Sequence, residues 1–198
     1  PVAMVQEFSP DALAVMEFKG QRDIDIASKM YSRWPKFGDE EAGPPLRDYM
    51  REIDMGTNRD LFSEDINDLP LYEGRMVAQY DHRAKGYRSG RGRAAVWEDL
   101  DFDKPGKDIQ SQWHVPLEKV KKQAKAKVKV FRIGFCDVAS PTNERTLVAA
   151  VLPPEVIAGH PVPTITFEPG FEWAYLPWLA VANSFAMDFL ARKKVSLH

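Results

Sequence analysis

A short basic segment of the chain has the residue types that contact nucleic acid. It combines five cations with three glycines and no acid, in Arg83-Ala-Lys85-Gly-Tyr87-Arg88-Ser-Gly-Arg91-Gly-Arg93. The glycine spacing favours a loop over a helix. A flexible arginine loop can follow a phosphate backbone, and arginine can donate two hydrogen bonds to O6 and N7 of guanine. The segment is therefore a candidate DNA contact, although a solvated basic surface has the same composition.

A second basic cluster follows, and the charge distribution agrees with an anionic partner for this part of the chain. It comprises Lys119, Lys121, Lys122, Lys125, Lys127, Lys129 and Arg132. From residue 127 to 135 the sequence KVKVFRIGF alternates like a strand, and an edge strand protected by lysines has the same pattern. The net charge is only −2, but residues 69–151 carry 16 Lys/Arg against 10 Asp/Glu, whereas residues 1–68 carry 8 against 15. The middle of the chain is the part suited to bind an anion.

Other catalytic patterns are weak or missing. The four histidines form no zinc-binding pattern, and neither a GxSxG elbow nor a nucleotide-binding glycine loop occurs in the sequence. Asp81 and His82 are adjacent, so on a strand they point to opposite faces and make no simple acid–base pair. Glu73, Asp81 and Lys85 have the residue types of a metal-dependent nuclease, which remains an alternative function.

Length and composition indicate a folded domain inside the cell. The chain has 198 residues, of which 44% are hydrophobic and 28% charged, which is ordinary for a globular protein. No apolar run approaches the roughly 20 residues of a membrane span, so no membrane partner is expected. A single cysteine, Cys136, fits a reducing compartment, and we expect a cytoplasmic protein. Because the sequence opens without a methionine, we also expect a piece of a longer protein.

The pattern of elements predicts an α+β fold, with a small mixed or antiparallel sheet, flanking helices and a long C-terminal helix. Residues 23–34 have helical periodicity, and Pro35 ends it. Residues 71–81 suggest a turn followed by a strand, and further strands are predicted at 128–138, 146–152 and 162–167. Residues 173–193 predict one long apolar helix, which is either buried or packed on a partner. We expect an acidic connector region with one helix at 1–68 and a compact recognition domain at 69–198.

Four stretches carry a distinctive combination of residues: DMGTNRDLF at 54–62, LPLYEGRMVAQYDHR at 69–83, RIGFCDVASPTNERT at 132–146 leading into VAAVLP, and LAVANSF at 179–185. In this order they resemble the C-terminal part of bacterial N6-adenine DNA methyltransferases of restriction-modification and phage-defence systems. The family includes the type IIG fused enzymes and, more loosely, the TaqI-like specificity domain. The resemblance covers nearly the whole chain, and the LPLYEGRMVAQYDHR stretch is its most specific part.

The resemblance implies a target-recognition region that reads duplex DNA downstream of a catalytic domain. The catalytic Asn/Asp-Pro-Pro-Tyr/Phe motif of the family is missing, because Pro44-Pro45 is flanked by Gly43 and Leu46. No S-adenosylmethionine loop is visible either. The expected partners are therefore duplex DNA and an N-terminal methyltransferase domain of the same parent chain. The parent enzyme would use S-adenosylmethionine, and this chain itself would bind no cofactor.

The expected DNA contacts combine cations with side chains that can read base edges. Gln and Asn can pair with adenine, and Arg with guanine. Gln79 could instead face solvent, and Arg145 could form a surface ion pair with Glu144 or another neighbouring residue. A third function, protein interaction through the helix at 173–193, also remains open. The predicted DNA-binding residues are Arg75, Gln79, His82, Arg83, Lys85, Tyr87, Arg88, Arg91, Arg93, Arg132, Asn143 and Arg145.

Overall fold

The computed structural model describes residues 2–10, 13–36 and 47–195. The predicted α+β class is confirmed, because helices flank small sheets. The helices are α1 Val2–Phe8, α2 Gln21–Arg33, α3 Lys122–Val128, α4 Tyr175–Ala182 and α5 Phe185–Lys194. The strands are β1 Arg47–Met50, β2 Leu69–Tyr72, β3 Lys85–Ser89, β4 Val96–Asp99, β5 His114–Val115, β6 Arg132–Phe135, β7 Ala149–Leu152, β8 Ile157–Ala158 and β9 Thr164–Phe167.

A four-stranded antiparallel sheet forms one side of the core. Its order is β1-β9-β6-β7, with Ile133 of β6 opposite Val151 on one neighbour and Ile165 on the other. Strand β9 has the sequence Thr-Ile-Thr-Phe, whose β-branched and aromatic residues suit a pleated surface and are buried throughout. Gly134 is required at the centre, because a Cβ there would lie 2.7 Å from Leu152 Cδ1.

A second, mixed sheet has the order β5-β2-β8, and β3 pairs with β4 in a separate two-stranded hairpin. Strand β2 pairs antiparallel with β5 and parallel with β8. The LPLY stretch is therefore the strand, and Gly74–Met76 after it is a short 3₁₀ helix. The predicted order of turn and then strand over residues 71–81 is wrong. Leu71 and Tyr72 are fully buried, which explains why this stretch is so apolar.

The C-terminal segment is helical as predicted, but it forms two helices rather than one. α4 ends at Ala182 and α5 begins at Phe185, with Asn183 and Ser184 between them. The Ser184 hydroxyl accepts a hydrogen bond from the Met187 N–H and so caps α5. The Asn183 side chain bonds to the backbone of Ala149 on β7. At this break the Asn183 carbonyl accepts hydrogen bonds from the Gln79 and Arg145 side chains.

The strand expected from residue 128 begins only at Arg132. Residues 122–128 instead form α3, with Ala124 and Val128 buried. The lysines before residue 129 therefore belong to a helix and the turn preceding it. Helix α2 agrees closely with its prediction, ending at Arg33 just before Pro35.

Residues on both sides of the expected boundary after residue 68 contribute to the same sheets. β1 pairs with β9 along Arg47–Met50, and Ile53 forms a bridge with Gly159. Ser63 pairs with His114 in the same way. Among the described residues, none of the helices has both the length and the apolar character that crossing a bilayer requires.

Candidate nucleic-acid interface

The arginine-rich segment forms a β-hairpin rather than the predicted loop. Tyr87 of β3 lies opposite Trp97 of β4, and a bulge follows between Tyr87 and Ser89. Gly90 turns the chain with a φ of +82°, and a Cβ there would come within 2.1 Å of the Ala94 carbonyl oxygen. Only glycine fits both conditions. A 3₁₀ helix at Gly92–Ala94 completes the exposed tip.

The cations of the hairpin are exposed but have acidic neighbours. Arg88 forms an ion pair with Glu98 on the facing strand, and Lys85 pairs with Asp99 at 2.7 Å. Arg91 at the tip pairs with Glu64, which comes from a distant loop. Arg93 lies within the 3₁₀ helix, but its side chain is outside the described part of the structure.

Aromatic contacts anchor the base of the hairpin. The Tyr87 and Trp97 rings meet edge to face with centroids 5.6 Å apart, and the Arg75 guanidinium lies 5.1 Å from the Trp97 ring. Trp97 also packs against the buried cluster around Tyr72 and Leu152. The Tyr87 hydroxyl donates a hydrogen bond to the Gly90 carbonyl, at 2.6 Å. Arg75 and Tyr87, two of the predicted DNA contacts, thus also stabilise the hairpin.

Beside the hairpin tip lies a cleft of about 290 Å³. The Arg91 guanidinium lies over Trp113, one of the residues that line the cleft, at 5.7 Å from the centre of the ring. Of the residues that line this cleft, only Tyr87 and Arg91 are among the DNA contacts predicted from the sequence. The run QSQWH at 110–114 mixes amide, hydroxyl and aromatic groups, and it is the signal that could have revealed the site. The lining residues are Glu64, Ile66, Tyr87, Arg91, Ser111, Gln112, Trp113 and His114.

The lysines around α3 form a second exposed basic surface. Lys125 donates a hydrogen bond to the Glu118 carbonyl, and Lys127 forms an ion pair with Asp48 at 2.7 Å. The remaining four are exposed and have no ion pair with any residue that the structure describes: Lys119, Lys121, Lys122 and Lys129. The buried side of α3 packs on the apolar cluster that also contacts Trp113. The lysine helix and the cleft are therefore supported by one cluster.

Arg132 is not available for DNA, and its prediction is wrong. The side chain is fully buried, with Nε 2.8 Å from Glu52 Oε1. Its guanidinium also donates hydrogen bonds to three carbonyls, those of Lys127, Val130 and Val156. Burial lowers the pKa of Arg132, and the charge of Glu52 opposes this shift. Arg132 is the first residue of β6, and its hydrogen bond to the Lys127 carbonyl joins this strand to α3.

Gln79 and Arg145 converge on the break between α4 and α5. Both side chains donate to the Asn183 carbonyl, at 3.0 and 2.5 Å respectively. Arg145 also lies 3.6 Å from Asp188 and stacks 4.5 Å from the centre of the Phe185 ring. Arg145 therefore forms an ion pair, as the alternative interpretation predicted, but its partner is Asp188 and the pair is largely buried. Neither side chain is in position to read a base.

Asp188 completes this polar centre from the first turn of α5. Its carboxylate accepts hydrogen bonds from the backbone N–H groups of Thr146 and Leu147. Burial alone would raise the pKa of Asp188, but the bonds from Leu147 and Arg192 outweigh it and lower the pKa. Asn143 lies on the exposed loop before this centre, and its carbonyl accepts a hydrogen bond from Arg192 at 2.9 Å. Asn143 thus stays on the surface.

His82 and Arg83 point into the molecule. The Tyr72 hydroxyl lies 2.5 Å from His82 Nδ1, and burial lowers the pKa of His82 to about 4, with the charge of Arg83 as a further cause. His82 is therefore neutral at physiological pH, and its Nδ1 can accept a hydrogen bond from the Tyr72 hydroxyl. Arg83 donates to the Lys107 carbonyl. These two predicted DNA contacts instead hold β2 to the loop around residue 107.

The residues of the nuclease alternative have separate partners. Asp81 forms a buried ion pair with Lys107, whereas Lys85 pairs with Asp99. Burial raises the pKa of Glu73, and the charge of Arg75 opposes this shift. The ranges 2–10, 13–36 and 47–195 hold no group of three or more His, Cys, Asp or Glu side chains arranged to bind a metal ion. The geometry gives this alternative no support.

Comparison with protein-family models, with curated proteins and with solved structures gave no match.

Proposed function

We propose that this chain binds duplex DNA as the target-recognition part of an N6-adenine DNA methyltransferase. One observation carries the proposal: a two-stranded ribbon, β3–β4, holds Arg88 and Arg91 at an exposed, glycine-rich tip. The major groove of B-DNA admits a two-stranded ribbon, and several DNA-binding proteins read it in this way. Arginine is the side chain best suited to guanine edges and phosphates.

The acidic partners of these cations are compatible with DNA binding. Arg91 and Glu64 are both largely exposed, and Arg88 and Glu98 are about half exposed. Exposed ion pairs contribute only about 0–1 kcal/mol each. A phosphate or a guanine edge can replace the carboxylate at that small cost, whereas the buried pairs of Arg132 and Lys107 cannot exchange in this way.

The lysines of α3 supply phosphate contacts for the same complex. Lys119, Lys121, Lys122 and Lys129 extend an unneutralised surface near the cluster beneath the cleft. Phosphate contacts give affinity without sequence preference, and base contacts add the preference. The hairpin and the lysine helix would thus divide these two tasks.

The residues of the four characteristic stretches act mainly as supports. Gln79, Arg145 and Asn183 belong to these stretches and form buried or half-buried hydrogen bonds between the sheet side of the core and the C-terminal helices. Tyr72 bonds to His82, and Asp188, just after the fourth stretch, accepts a hydrogen bond from the Thr146 N–H. No residue of the chain is assigned to S-adenosylmethionine, which belongs to the catalytic domain of the parent enzyme. The parent would work in the cytoplasm, where its DNA substrate is found.

The test is fluorescence anisotropy of the purified chain with a labelled duplex of about 30 base pairs across a salt series. Each neutralised phosphate contributes about −0.9 to the slope of log affinity against log salt. We expect steep salt dependence for the wild type. The R88Q/R91Q double variant should bind at least tenfold more weakly with a slope flatter by roughly 1–2.

A matched control removes two cations elsewhere. Arg22 and Lys29 are exposed on α2, so R22Q/K29Q makes the same change in net charge. Its affinity and slope should stay close to those of the wild type. Equal weakening by both double variants would show nonspecific charge attraction and refute a hairpin interface. No binding at about 20 mM salt would refute autonomous DNA recognition and leave the protein-interaction alternative.

A further inference from the structure

We propose that the cleft beside the hairpin binds a single unstacked nucleobase on the face of Trp113. The inference rests on the proposed function, because it names the part of the nucleic acid that enters this site. The cleft holds about 290 Å³, near the lower end of the roughly 300–1,000 Å³ of small-ligand sites. This size suits one base and excludes an oligonucleotide.

Trp113 provides the stacking platform. Its ring packs against Phe62, with centroids 5.7 Å apart and the planes tilted by 34°. Both rings join the apolar cluster built around Val115 and Ile157, so the indole is held in place before any ligand arrives. Base–aromatic stacking is the main sequence-tolerant attraction in single-strand binding. A rigid indole gains this attraction with little loss of conformational freedom.

Arg91 acts as a displaceable lid on the indole. Its guanidinium lies 5.7 Å from the Trp113 ring and forms the exposed ion pair with Glu64. An exposed pair is weak because water competes for both partners. When a nucleotide binds, its phosphate replaces Glu64 as the partner of Arg91. Its base replaces the Arg91 guanidinium on the face of the Trp113 ring. Both exchanges favour the complex.

The walls of the cleft carry hydrogen-bonding groups for the edge of the base. Three of the residues that line the cleft carry hydroxyl, amide and imidazole groups: Ser111, Gln112 and His114. His114 Nε2 lies 3.4 Å from the Ser111 hydroxyl, and burial lowers the pKa of His114, so the ring is neutral at physiological pH. A neutral imidazole and an amide can each pair with the donors and acceptors on a base edge.

The probe is a single-stranded decamer with 2-aminopurine at its centre, whose fluorescence changes when the base stacks on an aromatic ring. We expect the wild-type protein to bind the decamer and to change this fluorescence. W113L should weaken binding by about 5- to 150-fold, the range for loss of one stacked base, and abolish the fluorescence change. W113F should retain most of both signals because it keeps a ring.

The control for tryptophan loss is W173L, since Trp173 is exposed before α4, away from the cleft-lining set. It should bind the decamer like the wild type. Unchanged binding and fluorescence in a folded W113L protein would overturn the proposal. Circular dichroism establishes whether W113L folds.

A second variant leaves the core untouched. Glu64 is exposed, so E64Q removes the charge that attracts Arg91 and weakens their contact without disturbing packing. We expect decamer binding to tighten two- to fivefold relative to D60N, which removes an exposed acid outside the cleft-lining set. Equal effects of E64Q and D60N would contradict the lid and overturn the proposed exchange, even if W113L failed to fold.

A fully paired duplex, measured in parallel, separates this proposal from the proposed function. Decamer binding that depends on Trp113, without duplex binding, would support the base cleft and refute duplex recognition. Duplex binding that depends on Arg88 and Arg91, with decamer binding indifferent to Trp113, would support duplex recognition and refute the base cleft.

Discussion

Two arginines of the hairpin and two arginines of the interior have opposite environments, although the sequence predicts a DNA contact for each of these four side chains. The side chains of Arg88 and Arg91 are 50% and 71% exposed, and each has one acidic partner. The side chains of Arg132 and Arg145 are 0% and 13% exposed, and several carbonyls and carboxylates surround them. A cation is available to a ligand only where its present contacts are weak. Burial, rather than residue type, decides between an interface and a support.

The largest effect should come from removing Arg132. R132M leaves the Glu52 carboxylate buried without its cation, and breaking a buried pair typically costs about 3–5 kcal/mol. We expect a loss of that size in the free energy of unfolding, measured by urea denaturation. Glu52 also accepts hydrogen bonds from the Ala158 N–H and the Thr164 hydroxyl. The double variant R132M/E52Q removes both charges, keeps a side-chain oxygen as an acceptor and should recover much of the loss. A loss below about 1 kcal/mol for R132M would contradict a supporting role.

Asn183 should rank second. Its amide donates to the Ala149 carbonyl at 2.8 Å, and its side-chain oxygen accepts from the Ala149 N–H at 3.0 Å. N183A leaves the buried Ala149 N–H without a partner, whereas the Ala149 carbonyl keeps its hydrogen bond from the Tyr80 N–H. Unfolding should therefore become easier by about 1–3 kcal/mol, the cost of one unpaired buried group. S184A, which removes only the cap of α5, should cost about 1 kcal/mol. The reverse order in urea denaturation would show that the cap, not the link to β7, holds α5.

A smaller effect should follow from acidification. Burial lowers the pKa of His82 to about 4, against 6.5 for an ordinary histidine. Below pH 6.5 the unfolded chain binds a proton that the folded chain excludes. The neutral form of His82 therefore stabilises the folded chain fully above pH 6.5, and this stabilisation is lost progressively as the pH falls towards 4. Because the ring is partly open to solvent, we expect a loss of about 1–2 kcal/mol between pH 7 and pH 5.

The check on His82 is the pH dependence of urea unfolding in H82Q. This variant should show a flatter profile than the wild type over pH 5–7. His114, whose pKa is also lowered by burial, remains in both proteins and supplies the common background. Parallel profiles would assign the acid sensitivity to other groups.

The smallest effect on stability should come from Arg88. Its pair with Glu98 is about half exposed, so R88Q should change the free energy of unfolding by less than about 1 kcal/mol. The same variant should weaken duplex binding severalfold. Thermal denaturation and anisotropy on one preparation would measure both. A strongly destabilised R88Q protein would show that Arg88, like Arg132, mainly stabilises the fold, and would contradict the distinction between exposed and buried arginines.

Sequence reasoning succeeded where local signals agreed with each other. Helix α2 has helical periodicity and a proline just beyond its end, and β9 has a short β-branched run. It failed where a lysine-rich segment permits two structures: KVKVFRIGF alternates like a strand, but Ala124 and Val128 bury one face of a helix that ends there. It also failed at Asn183, where no local signal shows that the amide must reach β7.

The sequence by itself determined the α+β class, the helix α2 and the concentration of arginine and glycine between residues 83 and 93. Only the tertiary structure decided which cations face solvent. Glu64 meets Arg91, Glu52 meets Arg132, and Asn183 meets Arg145 across long separations along the chain. The QSQWH run became one wall of a cleft because β5 pairs with β2 beside the hairpin. Composition is a local property, but burial and pairing depend on how distant segments pack.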